Sequence, residues 1–176
     1  MYGPAVPAPE TAETHSSELP RSELWLFGVT IFLGAFLLFQ VQPVIGKYIL
    51  PWFGGTPGVW TTCLLFFQCL LLGGYAYAHW LSQLAPRQQA QIHLTLLGIV
   101  GVILGGVFLS MLGGLNPIEW LKPDPSMAAG SPVLGILTLL VVGIGLPYLV
   151  LSSTGPLVQA WFARKYDGRS PYRLYA

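Results

Sequence analysis

Two glutamines, Gln40 and Gln42, flank Val41 just before Pro43 in a long apolar run, and a third, Gln68, sits in the next such run. A proline inside a helix lacks the N–H that would bond a carbonyl one turn back, so a carbonyl is left free. A glutamine amide can take up that carbonyl or bridge to Gln68 on a neighbouring helix. The same amides could instead line a polar pocket for a small solute. Lys47 lies 23 residues past Leu24, about 35 Å along a helix. Its long stem suits it to reach a membrane surface and keep its charge wet. His79 and His93 bracket a short polar stretch around Pro86 and could in principle share a metal ion. Haem ligation across a bilayer needs histidines deep in facing helices, so both read as interfacial polar tips, and no metal or cofactor is expected.

Other chemistries are excluded by what the runs lack. Every acidic residue (Glu10, Glu13, Glu18, Glu23, Glu119, Asp124, Asp167) falls outside the long apolar runs, whereas proton-coupled pumps and cation carriers usually need a buried carboxylate. No strand leads into a Gly-rich phosphate turn, and no nucleophile triad is apparent. By its own residues this chain is not an enzyme. A net charge of +1 gives no electrostatic footprint for nucleic acid. The two cysteines, Cys63 and Cys69, lie six positions apart in one apolar run. Helical geometry separates them by roughly 9 Å of rise and points them to different faces, so they cannot bridge.

The elements that must position these side chains follow from charge spacing. The chain is 53% hydrophobic and 9% charged, against about a quarter charged in soluble domains. Uncharged runs cover 24–46, 48–86, 88–118 and 125–163. A hydrocarbon core of about 30 Å takes roughly 20 apolar residues per helix, so each run holds one span. The expectation is an all-α, polytopic integral membrane protein with four transmembrane helices near 24–46, 58–81, 92–115 and 132–155. Loops are expected at Pro51 to Pro57, Ser82 to Ala90 and Asn116 to Ser131. The run from Leu157 to Lys165 reads as the finish of the fourth helix.

Residues 1–23, rich in proline and acidic side chains, read as a disordered tail, and 164–176 as a basic C-terminal segment. The first apolar run is longer than a signal-peptide core and lacks a clear cleavage site, so it reads as an uncleaved helix. With four spans, Arg21, Arg87, Arg164, Lys165, Arg169 and Arg173 share one side, while Lys47 and Lys122 face the other. The positive-inside rule then places both termini in the cytoplasm. Trp52, Trp60, Trp80, Trp120 and Trp161 fall near helix ends, as an aromatic belt does. Gly74 with Ala78, and Gly101 with Gly105, have the small-xxx-small spacing that lets helices approach closely, within the chain or in a helix-mediated oligomer.

The run FQVQPVIGKYILPWFGGTPGVWTTCLLFFQCLLLGGYAYAHW at 39–80 resembles the N-terminal membrane region of bacterial spermidine-synthase-like integral membrane proteins. The matching features are Gln42-Pro43 with Gly46-Lys47, Pro51, Gly54-Gly55-Thr56-Pro57 with Trp60, Phe67-Gln68, and Gly74 through His79. A second stretch, Gly145-Leu146-Pro147, Leu151 through Leu157 and Trp161-Phe162-Ala163, resembles a later helix of the same family. The resemblance implies the bacterial inner membrane and a connection to polyamines. It also implies a downstream or separate aminopropyltransferase-type domain as partner. In that family a segment like Ser170 to Ala176 runs on into a further helix and then the synthase-like domain, so the chain reads as an N-terminal fragment or truncated product. None of the family's enzymatic residues maps onto it. Two functions are therefore carried forward: a membrane-anchoring helical module without the catalytic domain, and a small-solute carrier or permease-like protein.

Overall fold

Apolar side chains bring the backbone into lipid, where each N–H and C=O must be satisfied within its own segment, and this selects helices. The structure, a computed structural model, describes residues 21–123 and 130–166. Most of the expected tail and basic C-terminal segment lies outside those residues. Among them are α1 (Arg21–Phe53), α2 (Pro57–Ser82), α3 (Pro86–Leu112), a short 3-10 helix η1 (Pro117–Leu121) and α4 (Pro132–Lys165), with no strand. The four α-helices are each long and apolar enough to cross a membrane. The chain is an all-α polytopic membrane protein.

α1 and α2 run past both expected span ends, and α3 is displaced toward its start and ends at Leu112, because proline and glycine divide their labour differently from the sequence reading. α1 continues through Pro43 and Pro51 to Phe53. It stops at Gly54, which adopts φ +83° and donates its N–H to the Leu50 carbonyl at 2.8 Å. A left-handed residue that ties back to the last turn is a glycine-specific stop signal. Pro57 and Pro86 begin α2 and α3, where a missing N–H costs nothing because first-turn donors have no helical partner. The expected Ser82–Ala90 loop therefore shrinks, and α3 starts six residues before position 92. α4 carries a wide π turn at Val141–Gly145, then continues through Pro156 to Lys165.

α4 packs closely against α2 and α1, whereas α3 touches the rest sparsely. One core cluster forms around Ile49, Phe67, Ile136 and Tyr148, and a second around Ala78, Leu81 and Leu157. The close approach of α2 to α4 depends on Gly74, where a Cβ would collide with Ser152 Oγ. Gly46 plays the same part between α1 and α2, since a Cβ there would lie 2.5 Å from the Trp60 ring. At one end of the bundle the start of α1 meets the finish of α4: Lys165 Nζ donates to Glu23 Oε2 at 2.5 Å, and Phe27 packs edge-on against Phe162. The Tyr166 hydroxyl donates to the same Glu23 oxygen, and that bond raises its pKa above the usual tyrosine value. Arg164 donates to the Ser82 carbonyl, which brings the α2–α3 turn to this end as well.

Candidate functional site

The starts of α3 and the ends of α2 and α4 enclose a polar cluster in otherwise apolar surroundings. Gln89, fully buried in the first turn of α3, donates to the carbonyls of Ser82 (3.2 Å) and Leu84 (2.6 Å) and accepts from the Trp161 indole N–H at 2.9 Å. One side chain thus satisfies carbonyls that the end of α2 leaves over and ties them to α4. One turn on, His93 is 2% exposed, with Nε2 3.3 Å from Thr154 Oγ1. Tyr77 and Trp161 flank its ring, with centroids 6.3 and 6.2 Å away.

Thr154 Oγ1 lies 2.8 Å from the Val150 carbonyl oxygen and 3.3 Å from His93 Nε2. When its single hydrogen goes to the shorter contact, the oxygen accepts from the ring and the imidazole proton is on Nε2. That leaves Nδ1 as a bare acceptor, and His93 Nδ1 is buried without a partner among the described residues. The Tyr77 hydroxyl is in the same position, but it has a proton to give. An orphaned acceptor and an orphaned donor on adjacent rings are complementary.

Burial of His93 corrects the expectation of an interfacial tip. The cause is the early start of α3 at Pro86, which moves His93 seven residues, roughly 10 Å, inside the helix. Trp161, expected near a helix end, lies half-buried four residues before the end of α4, with its indole N–H donating to Gln89. Gln89, His93 and Thr154 were absent from, or misplaced in, the sequence reading. The available signal was spacing: Gln89 and His93 are four apart, Thr154 and Trp161 seven apart, so each pair shares a helix face.

The other expected site residues are spread along the bundle. Gln42 Nε2 donates to the Tyr148 hydroxyl at 2.7 Å, joining α1 to α4. The partner is neither the free carbonyl nor Gln68, the two that the sequence offered. Gln68 is exposed on α2 and Gln40 is exposed on α1, two positions from Gln42 and therefore roughly 200° around the helix. The three amides do not converge. His79 is exposed at the end of α2, its Nε2 3.2 Å from Gln83 Nε2. Lys47 is exposed near the opposite end, beside Tyr48, Trp52 and η1. Among the described residues no three His, Cys, Asp or Glu side chains cluster to hold a metal ion.

Comparison with family models, with curated proteins and with solved structures finds no match to this chain. The family resemblance therefore rests on the motif residues alone.

Proposed function

We propose that the chain is the membrane-anchoring helical module of a spermidine-synthase-like membrane protein, in the bacterial inner membrane with both termini cytoplasmic. On this reading, catalysis belongs to a downstream or separate aminopropyltransferase-type domain. The observation that carries the proposal is where the motif residues spend their polar and steric capacity. Gln42 bonds Tyr148, Gly46 admits Trp60, and Gly74 admits Ser152. Five of these six belong to the two stretches that carry the resemblance, and Tyr148 follows directly after Pro147. They hold helices together.

A carrier would need the polar side chains to converge on a path, and Gln40, Gln42 and Gln68 point apart. The two readings separate in proteoliposomes. With labelled spermidine outside, uptake should equal that of protein-free vesicles; a flux lost in Gln42→Leu would replace the anchor by a carrier. Affinity purification from native membranes should bring down an aminopropyltransferase-type enzyme, or the coding frame should continue into one, and failure of both would sink the family assignment. Reporter fusions in 82–90 and after Ala176 should both report cytoplasm. A periplasmic signal from either would overturn the orientation.

A further inference from the structure

At the end of the bundle away from Glu23 and Lys165, α1, α3, η1 and the π turn of α4 leave two adjoining chambers. The outer one, about 460 Å³, has Lys47, Asn116, Glu119 and Lys122 at its wall. The inner one, about 330 Å³, is walled by apolar side chains such as Ile103, Leu104, Val107 and Ile144. Val44, Tyr48 and Trp52 line both. Both volumes fall in the roughly 300–1,000 Å³ range of small-molecule sites. The arrangement is built rather than incidental. Leu121 of η1 lies so close to α4 that a Cβ on Gly143 would sit 2.6 Å from it, and π turns of this kind concentrate at functional sites.

Charge selects the occupant. Lys122 pairs with Glu119 at 3.2 Å, while Lys47 has no acidic partner among the described residues, so the described wall of the outer chamber carries one positive charge in excess. An apolar chamber behind a cationic mouth, with an aromatic pair between them (Tyr48 and Trp52 rings at 5.9 Å, edge to face), matches a molecule with an acyl chain and an anionic phosphate head. We propose that these chambers form a binding site for one anionic phospholipid, its chain against Val107 and Ile144 and its phosphate at Lys47 and Lys122. The site is independent of the family assignment, because it requires only that the bundle be embedded in lipid.

Trp52, at the junction, supplies the readout. Delipidated protein in detergent is titrated with phosphatidylglycerol or phosphatidylcholine carrying brominated chains, and quenching is taken as the difference between the native chain and Trp52→Phe. Phosphatidylglycerol should quench at roughly tenfold lower concentration. Lys47→Gln and Lys122→Gln should each weaken it roughly fivefold, as expected for one surface lysine, with the phosphatidylcholine curve and the melting temperature unmoved. Val107→Phe, which fills the inner chamber, should remove quenching by both lipids. Equal quenching by the two lipids, lysine variants without effect, or Val107→Phe binding as the native chain does would each overturn the site. Displacement of the lipid by glycerol phosphate at matching concentration would identify a soluble-anion site and overturn it too.

Discussion

α2 and α3 carry the same spacing of small residues and put it to opposite use. In α2, Gly74 and Ala78 are buried against α4, and the glycine is the point of closest approach. In α3, Gly101 and Gly105 face open space, and a Cβ on either would meet nothing within 4 Å. The contrast extends along the helices: a third of the apolar window of α2 is buried inside the bundle (33%), against 11% for α3. Small-residue spacing permits close approach, but a partner surface decides whether it happens. α4 offers that partner to α2 through Ser152 and Leu149, while α3 is fastened mainly at its polar start through Gln89 and His93. α3 is thus a strut tied firmly at one end, while toward its other end it touches η1 only sparsely and lines the apolar chamber through Ile103, Leu104 and Val107.

The sharpest way to break this comparison is to enlarge the glycines in turn. Gly74→Leu should lower the unfolding free energy by about 3 kcal/mol, the upper part of the usual overpacking range, while Gly101→Leu should change it by less than about 0.5 kcal/mol, as for substitutions that touch nothing. Thermal unfolding in one detergent reads both, and similar losses at the two positions would mean that α3 packs as tightly as α2. Next in size is the tie at the start of α3. Gln89→Leu leaves the Trp161 donor and two carbonyls without their partner, at a cost of about 2 kcal/mol. Accelerated hydrogen exchange should appear first in 86–93.

A smaller effect tests the polar link between α1 and α4. Gln42→Leu and Tyr148→Phe should each cost about 0.6 to 1.7 kcal/mol, from the average to the largest value measured for interhelical hydrogen bonds in lipid. Their double variant should cost no more than the larger single, since both remove one bond. Gln68→Leu should add independently to Gln42→Leu, and coupling between those two would revive a direct contact. Smallest is Tyr77→Phe, which deletes an orphaned buried donor. It should leave stability unchanged or raise it by up to about 1 kcal/mol. A loss would mean that the hydroxyl has a bound partner beside His93.

The span count was legible because it rests on charge-free length, a property of the sequence that packing cannot alter. The helix ends were less so. Pro51 and Pro86 look like breaks in a string of letters, yet one is tolerated within a helix and the other starts one. That single ambiguity carried His93 from the surface to the interior. The amide at position 42 was legible as a costly polar group in an apolar run, but its acceptor, Tyr148, lies 106 residues away and carries no local mark. Gln40 and Gln68 drew notice for being costly in lipid, and composition could not tell an outward-facing amide from an inward-facing one. The polar cluster beside His93 was hidden for a related reason: its members come from three helices whose rotation is set by contacts.

The wide turn at Val141–Gly145 takes up one residue more than an α-helical turn would. Ahead of it, Ile136 and Leu140 reach the core on one helical frame; beyond it, Tyr148 and Leu157 do so on a frame advanced by one position. A homologue whose fourth span lacks this turn would align only through a single-residue gap in mid-membrane. An alignment that forbids gaps there would rotate one half of the span by roughly 100° relative to its true partners. Removal of one residue at this place would join the two halves of the span in one continuous α-helical register.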